Sequence, residues 1–142
     1  MPKTCGIEIK GNSAIVVVLE GVADNFKVLP TEFKKTNLDD SNNQAAVKSF
    51  SRVINDFLKA NNFDSIGIKA RATKGKFAGG AISFKMEGLI QNTDFPVSII
   101  KGTSIKAKLK DTAVAFPEVN KYQIEAMKVA YCLLLEEAKF SK

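Results

Sequence analysis

Cys5-Gly6-Ile7-Glu8-Ile9-Lys10-Gly11-Asn12 is the stretch on which the fold turns. Its alternation places Cys5, Ile7 and Ile9 on one side of a strand and Gly6, Glu8 and Lys10 on the other. Gly11-Asn12 then supplies a tight turn. The next segment, Ala14-Ile15-Val16-Val17-Val18-Leu19, is apolar without alternation, the pattern of a strand covered on both faces. If the first strand lies in the centre of the same sheet, its acid is costly to bury unless the charge is balanced. A metal ion, a basic side chain or water at a sheet edge would each balance Glu8.

Working outward, strands are expected over Thr4–Lys10, Ser13–Gly21 and Asn25–Phe33, joined as consecutive hairpins through Gly11-Asn12 and the 21–25 turn. Asp39-Asp40-Ser41-Asn42 offers N-cap candidates for a helix whose apolar stripe is Val47, Phe50, Ile54, Phe57 and Leu58 and which ends near Asn61-Asn62. A fourth strand follows over Ser65–Ala70, then a helix carrying Ile82, Met86, Leu89 and Ile90 on one side. A fifth strand spans Pro96–Ile100, and Thr103 is placed to cap a short helix running through Lys110. A last helix is expected from Glu118 to Ala138. Three antiparallel strands followed by helix, strand, helix, strand and helix make an α/β sandwich with a mixed five-stranded sheet. No repeat, linker or low-complexity tract interrupts it, and 142 residues fit one domain, residues 1–142.

Composition narrows the chemistry. There is no histidine, which removes His general bases, His-based triads and His-containing zinc sites. The two cysteines, Cys5 and Cys132, lack CxxC spacing and sit in apolar surroundings, so buried free thiols in a reducing cytoplasm are expected. Carboxylates, lysines, hydroxyls or a hard cation held by oxygen remain. Twenty-one Lys and Arg against 15 Asp and Glu give a net charge of +6, which permits nucleic-acid contact without requiring it. No apolar run approaches the roughly 20 residues that cross a bilayer, and the start carries no signal-peptide pattern, so no membrane association is expected.

The order of elements resembles that of ribonuclease H-like proteins. Three stretches are similar to the RuvC-type Holliday-junction resolvase branch of that superfamily. Gly6-Ile7-Glu8 looks like its Gly-Ile-Asp, Ile66 to Gly88 can be laid on its fourth strand, loop and helix, and Tyr122-Gln123-Ile124-Glu125-Ala126-Met127-Lys128-Val129-Ala130 looks like its closing Asp-x-x-Asp-Ala-x-x-x-Ala helix. The chain as a whole resembles a small bacterial family of ribonuclease H-like proteins with no assigned function, chiefly through the segment from Thr73 to Glu87. The resemblance implies a five-stranded mixed sheet with the first, fourth and fifth strands parallel. It also implies a carboxylate site for two magnesium ions that cleaves phosphodiesters. Carried over residue by residue, the set is altered. Glu8 stands at the first Asp, Lys69 at the fourth-strand Glu, Tyr122 at the first acid of the last helix and Glu125 at the second.

Two carboxylates and an ammonium are poorly suited to two hard cations about 4 Å apart. The expected site is therefore a Glu8–Lys69–Glu125 ion-pair cluster, facing a stripe of the last helix formed by Tyr122, Glu125, Val129 and Cys132; Lys69 turned to solvent beside two hydrated acids is the equal alternative. A single Mg²⁺ or Mn²⁺ on Glu8 and Glu125 is the catalytic alternative, with Lys69 beside it. Glu87 is expected on a solvated helix face, with a swing toward the site as its other possibility. Arg71, Lys74, Lys76, Phe77 and Lys85, interleaved with Gly75, Gly79 and Gly80, suit a phosphate backbone and a stacked base. They equally suit a solvated loop. The function expected is a nucleic-acid-associated protein with a degenerate metal site, binding structured DNA or RNA with weak or no cleavage, with a homodimer as a candidate assembly. A Mg²⁺- or Mn²⁺-dependent nuclease and a non-catalytic protein-interaction module are the alternatives.

Overall fold

In the computed structural model, which describes residues 1–71, 80–110, 116–117 and 119–140 (side chains through 138), the unbroken apolar run becomes strand β2 (Ser13–Val22), buried along both faces. Ala14, Val16 and Val18 point into one core layer and Ile15, Val17 and Leu19 into the other. Strand β1 (Lys3–Lys10) pairs with β2 antiparallel over its whole length. Gly11, the first residue of the connecting turn, has φ +61°, which glycine adopts without steric cost. Strand β3 (Asn25–Leu29) continues the meander on the far edge of β2.

All five expected strands are present, and a sixth is added. Strand β4 (Lys35–Asn37) pairs with Ser13–Ile15 of β2, on the same edge that β3 occupies further along. The expected single strand to Phe33 stops instead at Leu29. Pro30 has no N–H to donate to the ladder, so the chain leaves the sheet and returns five residues later. Strands β5 (Ser65–Lys69) and β6 (Val97–Ile100) complete the sheet in the order β3-β2-β1-β5-β6, with β1, β5 and β6 mutually parallel.

Helices cover both faces. Helix α1 (Gln44–Asn61) and helix α2 (Ala81–Gln91) lie on the side of Cys5, Ile7, Ile9, Ile66 and Ile68. The cap of α1 is Asn43, one residue beyond the expected candidates: its side chain accepts from the Ala46 N–H, while Asp40 accepts from Asn42 in the preceding turn. On the other face lie helix α3 (Gly102–Leu109) and helix α4 (Ile124–Phe140). Thr103 falls inside the first turn of α3, whose cap position is Lys101. The last helix starts later than expected. Residue 118 lies outside the described set, and a 3₁₀ turn at Lys121–Gln123 precedes α4, closed by a reciprocal Asn120–Gln123 capping box. Buried Gln123 also donates to the Val16 carbonyl, tying this start to β2. Both cysteines are buried and free, and burial raises both thiols above their ordinary range. No helix among the described residues is long and apolar enough to cross a membrane.

Helix α4 is set by two glycines. Gly6 of β1 and Gly67 of β5 are register partners and form a shallow trough beneath it. A Cβ on Gly6 would collide with the Ala126 carbonyl and lie 2.5 Å from the Ala130 nitrogen, both helix backbone. A Cβ on Gly67 would meet only side-chain ends, Ile100 Cδ1 at 2.9 Å, Val129 Cγ1 at 3.1 Å and Leu133 Cδ1 at 3.2 Å. Thr4, buried on the same face, donates its hydroxyl to the Ala130 carbonyl at 2.9 Å. Backbone cannot retreat as side chains can, so Gly6→Ala should cost about 3 kcal/mol or more and Gly67→Ala about 1 kcal/mol. Denaturant unfolding of the two variants measures the difference; equal losses would contradict this account of the contact.

Candidate functional site

Register decides which side chains meet. Thr4, Gly6 and Glu8 of β1 face α4, and so do Ser65, Gly67 and Lys69 of β5, because β1 and β5 pair in parallel at Gly6 and Gly67. Glu8 and Lys69 therefore emerge at the C-terminal ends of neighbouring strands, under the first turns of α4. There Lys69 Nζ donates to Glu125 Oε1 at 2.8 Å. Lys128, one turn along the helix, reaches Glu125 Oε2 at 3.2 Å. Both oxygens of Glu125 are thus held by ammonium groups.

Glu8 joins the cluster through space. It enters no direct ion pair among the described residues. Burial lifts its carboxyl above the ordinary range; Lys69, Lys10 and Arg71 pull it down, and the charge of Glu125 adds to the rise. Glu125 is held below the ordinary range, first by its hydrogen bond to Lys69, with Lys128 assisting against the cost of burial. The expected cluster is therefore formed between Lys69 and Glu125 by contact, with Glu8 coupled to both by charge alone.

Arg71 crosses the end of β1 and donates through Nη1 to the Ile9 carbonyl. Its charge acts on Glu8 on one side and on Glu87 of α2 on the other. Glu87 is not on a solvated face: it is half-buried, burial raises its carboxyl, and its Oε2 has no hydrogen-bond partner among the described residues. Arg71 Nε is likewise buried without a partner among the described residues. Lys85 lies apart from this group on the outer side of α2, where Nζ donates to the Ser41 carbonyl at 2.5 Å. Lys74, Lys76 and Phe77 lie outside the described residues. Tyr122 sits in the 3₁₀ turn ahead of α4, with Lys35 Nζ 5.1 Å from its ring centroid. It is thus not part of the expected stripe, which keeps Glu125, Val129 and Cys132.

Two participants were absent from the sequence-based expectation. Lys128 could have been found from its i,i+3 spacing to Glu125, and Lys10 from sharing the strand face of Glu8. With them, the acids Glu8, Glu125 and Glu87 stand among the cations Lys10, Lys69, Arg71 and Lys128. Among the described residues no group of three or more acids or thiols is placed to hold a metal ion. The donor set does not fit a pair of divalent cations: a metal at Glu125 would have to displace two ammonium groups, and one at Glu8 would face Lys69 and Arg71.

The sequence matches, over residues 2–133, the model of a family described as a protein of unknown function (DUF3010). The fold is similar to that of RuvC from Thermus thermophilus, with a TM-score of 0.74 at 10% identity over 96% of this chain and 96% of that one. It is also similar to T. thermophilus RuvC in complex with Holliday junction substrate, with a TM-score of 0.69 at 9% identity over 97% and 96%. The architecture is ribonuclease H-like, as expected from the order of elements. No curated protein matches the sequence.

The two central acids respond to pH in opposite senses. Glu8 binds its proton more tightly folded than unfolded, so its contribution to stability is full below the ordinary carboxylate pKa and is lost as pH rises through its folded value. Glu125 contributes above the ordinary range and loses that contribution as pH falls through its lowered folded value. At pH 7, Glu8→Gln should therefore stabilise and Glu125→Gln destabilise, each by on the order of 0.5 kcal/mol, given their partial exposure. The Glu8 difference should disappear below about pH 4.3, and the Glu125 difference only at lower pH. Urea unfolding across pH 3 to 8 reads both; effects of the same sign at pH 7 would contradict this charge arrangement.

Proposed function

We propose that the chain, which belongs to the DUF3010 family, binds structured DNA or RNA through the net-basic end of its sheet and cleaves it slowly or not at all. The observation that carries this reading is the Lys69 ammonium hydrogen-bonded to Glu125 where a metal-dependent nuclease would need a free carboxylate. With Lys128 on the second oxygen and Arg71 beside Glu8, fixed positive charge stands at the place where divalent cations would act. Such a site attracts phosphate oxygens directly. Among the described residues it lacks the shared oxygen ligands through which paired metals generate a nucleophile and stabilise a leaving group.

The fold supports the location. The C-terminal ends of parallel strands are where open α/β sheets gather ligand-binding side chains, and β1 and β5 deliver Glu8, Lys69 and Arg71 there. Arg71 leads into the segment that carries Lys74, Lys76 and Phe77, which we assign to the same interface with the phosphates on the lysines and a base on the ring. Lys85 would contact the backbone further along α2. A second reading, a Mg²⁺- or Mn²⁺-dependent nuclease, is favoured by one observation: among the described residues Glu8 makes no direct ion pair and retains a carboxylate able to take a cation.

Fluorescence anisotropy with branched and single-stranded DNA and RNA over a salt series tests the binding role. Affinity should fall linearly on a log–log plot as salt rises, and Arg71→Gln should weaken binding to all sequences alike while reducing the salt slope by about 1. Absent or salt-independent binding would overturn the proposal. Magnesium or manganese added at 5 mM should leave the Glu8 and Glu125 carboxyl resonances unchanged and the bound strands intact. Metal-dependent cleavage abolished by Glu8→Gln would establish the second reading instead.

A further inference from the structure

The Lys69–Glu125 pair has a second side. Beyond it, between α3 and α4, opens a cavity of about 620 Å³ whose wall includes Lys69, Glu125 and Lys128. Its interior is apolar: Ile105 is buried at 4% exposure, Leu109 is half-buried, and the Phe116 ring closes the far wall. Phe116 is held in place by the Tyr131 ring, which meets it nearly edge-on at 83° with centroids 5.1 Å apart. Lys106 in the last turn of α3 and Lys110 at its C-terminal cap, both exposed, line the opening. Neither enters an ion pair among the described residues.

This combination selects a class of ligand. The apolar part of the wall with its fixed aromatic ring suits a flat, poorly hydrated body, and the lysines at the rim favour negative charge at one end. Glu125 already holds Lys69 and Lys128, so the charge left for a ligand is that of Lys106 and Lys110, reinforced by the ammonium groups behind them. A simple anion would leave the apolar interior unfilled, and an uncharged aromatic would leave the two lysines unanswered.

We infer that the α3–α4 cavity is a nucleotide pocket, taking one nucleobase between Ile105, Leu109 and Phe116 with its phosphate on Lys106 and Lys110. The choice of a nucleotide among amphipathic anions rests on the nucleic-acid reading above. The pocket shares its Lys69–Glu125 wall with the strand-binding cleft, so a nucleotide turned out of a bound strand enters without leaving the protein surface. A free nucleotide would enter by the same mouth.

Methyl NMR of the full chain, titrated with adenosine monophosphate, inorganic phosphate and adenosine, tests the pocket. Adenosine monophosphate should shift the Ile105 and Leu109 methyl signals and bind at least tenfold more tightly than phosphate or adenosine. The double variant Lys106→Gln/Lys110→Gln, both surface changes, should weaken it about tenfold. Unmoved methyl signals at 10 mM nucleotide, or equal affinity for phosphate alone, would overturn the inference. A single-stranded pentanucleotide separates the sources. If it shifts the same methyls and is weakened by the double variant, the pocket accepts a unit of a strand; if only the mononucleotide does so, it accepts free nucleotide. Strand binding lost in Arg71→Gln but unchanged in the double variant, with no response to the mononucleotide, would remove the pocket and leave the strand-binding cleft. Mononucleotide binding with no strand bound would remove the cleft and keep the pocket.

Discussion

The absence of a side chain at Gly6 governs the arrangement of this molecule. It lets the backbone of α4 settle onto β1 so closely that the Ala126 carbonyl and Ala130 nitrogen occupy the space of a Cβ. Gly67 extends the same trough across β5, and the Thr4 hydroxyl fastens the helix by a buried bond to Ala130. Height and axial position of α4 are thereby set together. Glu125, one residue before Ala126, is delivered over the end of β5 at the height where the Lys69 ammonium reaches it. The charge cluster follows from close backbone packing, which gives a few partly exposed ionic contacts a definite geometry that their own energy would not enforce.

That packing also explains why the acids differ. Glu8 and Glu125 sit in one cleft yet are displaced in opposite directions, because hydrogen bonds to the charged form outweigh desolvation at Glu125 while desolvation dominates at Glu8. Paired carboxylates converging on metals share their cations. Here the ammonium groups are distributed unequally: Lys69 and Lys128 belong to Glu125, and Glu8 sees charge only at a distance. Among the described residues the cleft is consequently anionic at no point where a divalent ion would gather several oxygens.

Much of this was legible in the residues. Alternation in β1 put Glu8 on the correct face, and the non-alternating run of β2 announced burial on both sides. The parallel placement of β5 then made Lys69 a neighbour, so one cluster could be anticipated from three letters. What escaped was of two kinds. Lys35-Thr36-Asn37 has no apolar period, and its pairing with Ser13–Ile15 is created by the detour at Pro30, a tertiary effect. The burial of Glu87 escaped because a helix face is read from its own period, whereas the cover over this side chain comes from the strand end that Arg71 crosses. The start of α4 was misplaced for a local reason: the Asn120–Gln123 box closes a 3₁₀ turn before the helix begins.

The Thr4–Ala130 bond spans 126 residues, which has a consequence for how the chain is made. A ribosome adding about 5 to 20 residues per second needs roughly 6 to 25 s to travel from one partner to the other. Once β2 is complete, the nascent β1–β2 hairpin shows Ile15, Val17 and Leu19 to the surroundings for most of that interval, with the helix that covers them not yet synthesised. An apolar sheet face exposed for seconds is the kind of surface that chaperones bind and that neighbouring nascent chains capture. The seating of the last helix on the first hairpin, which gives the folded protein its definition, thus also leaves the earliest structure uncovered the longest.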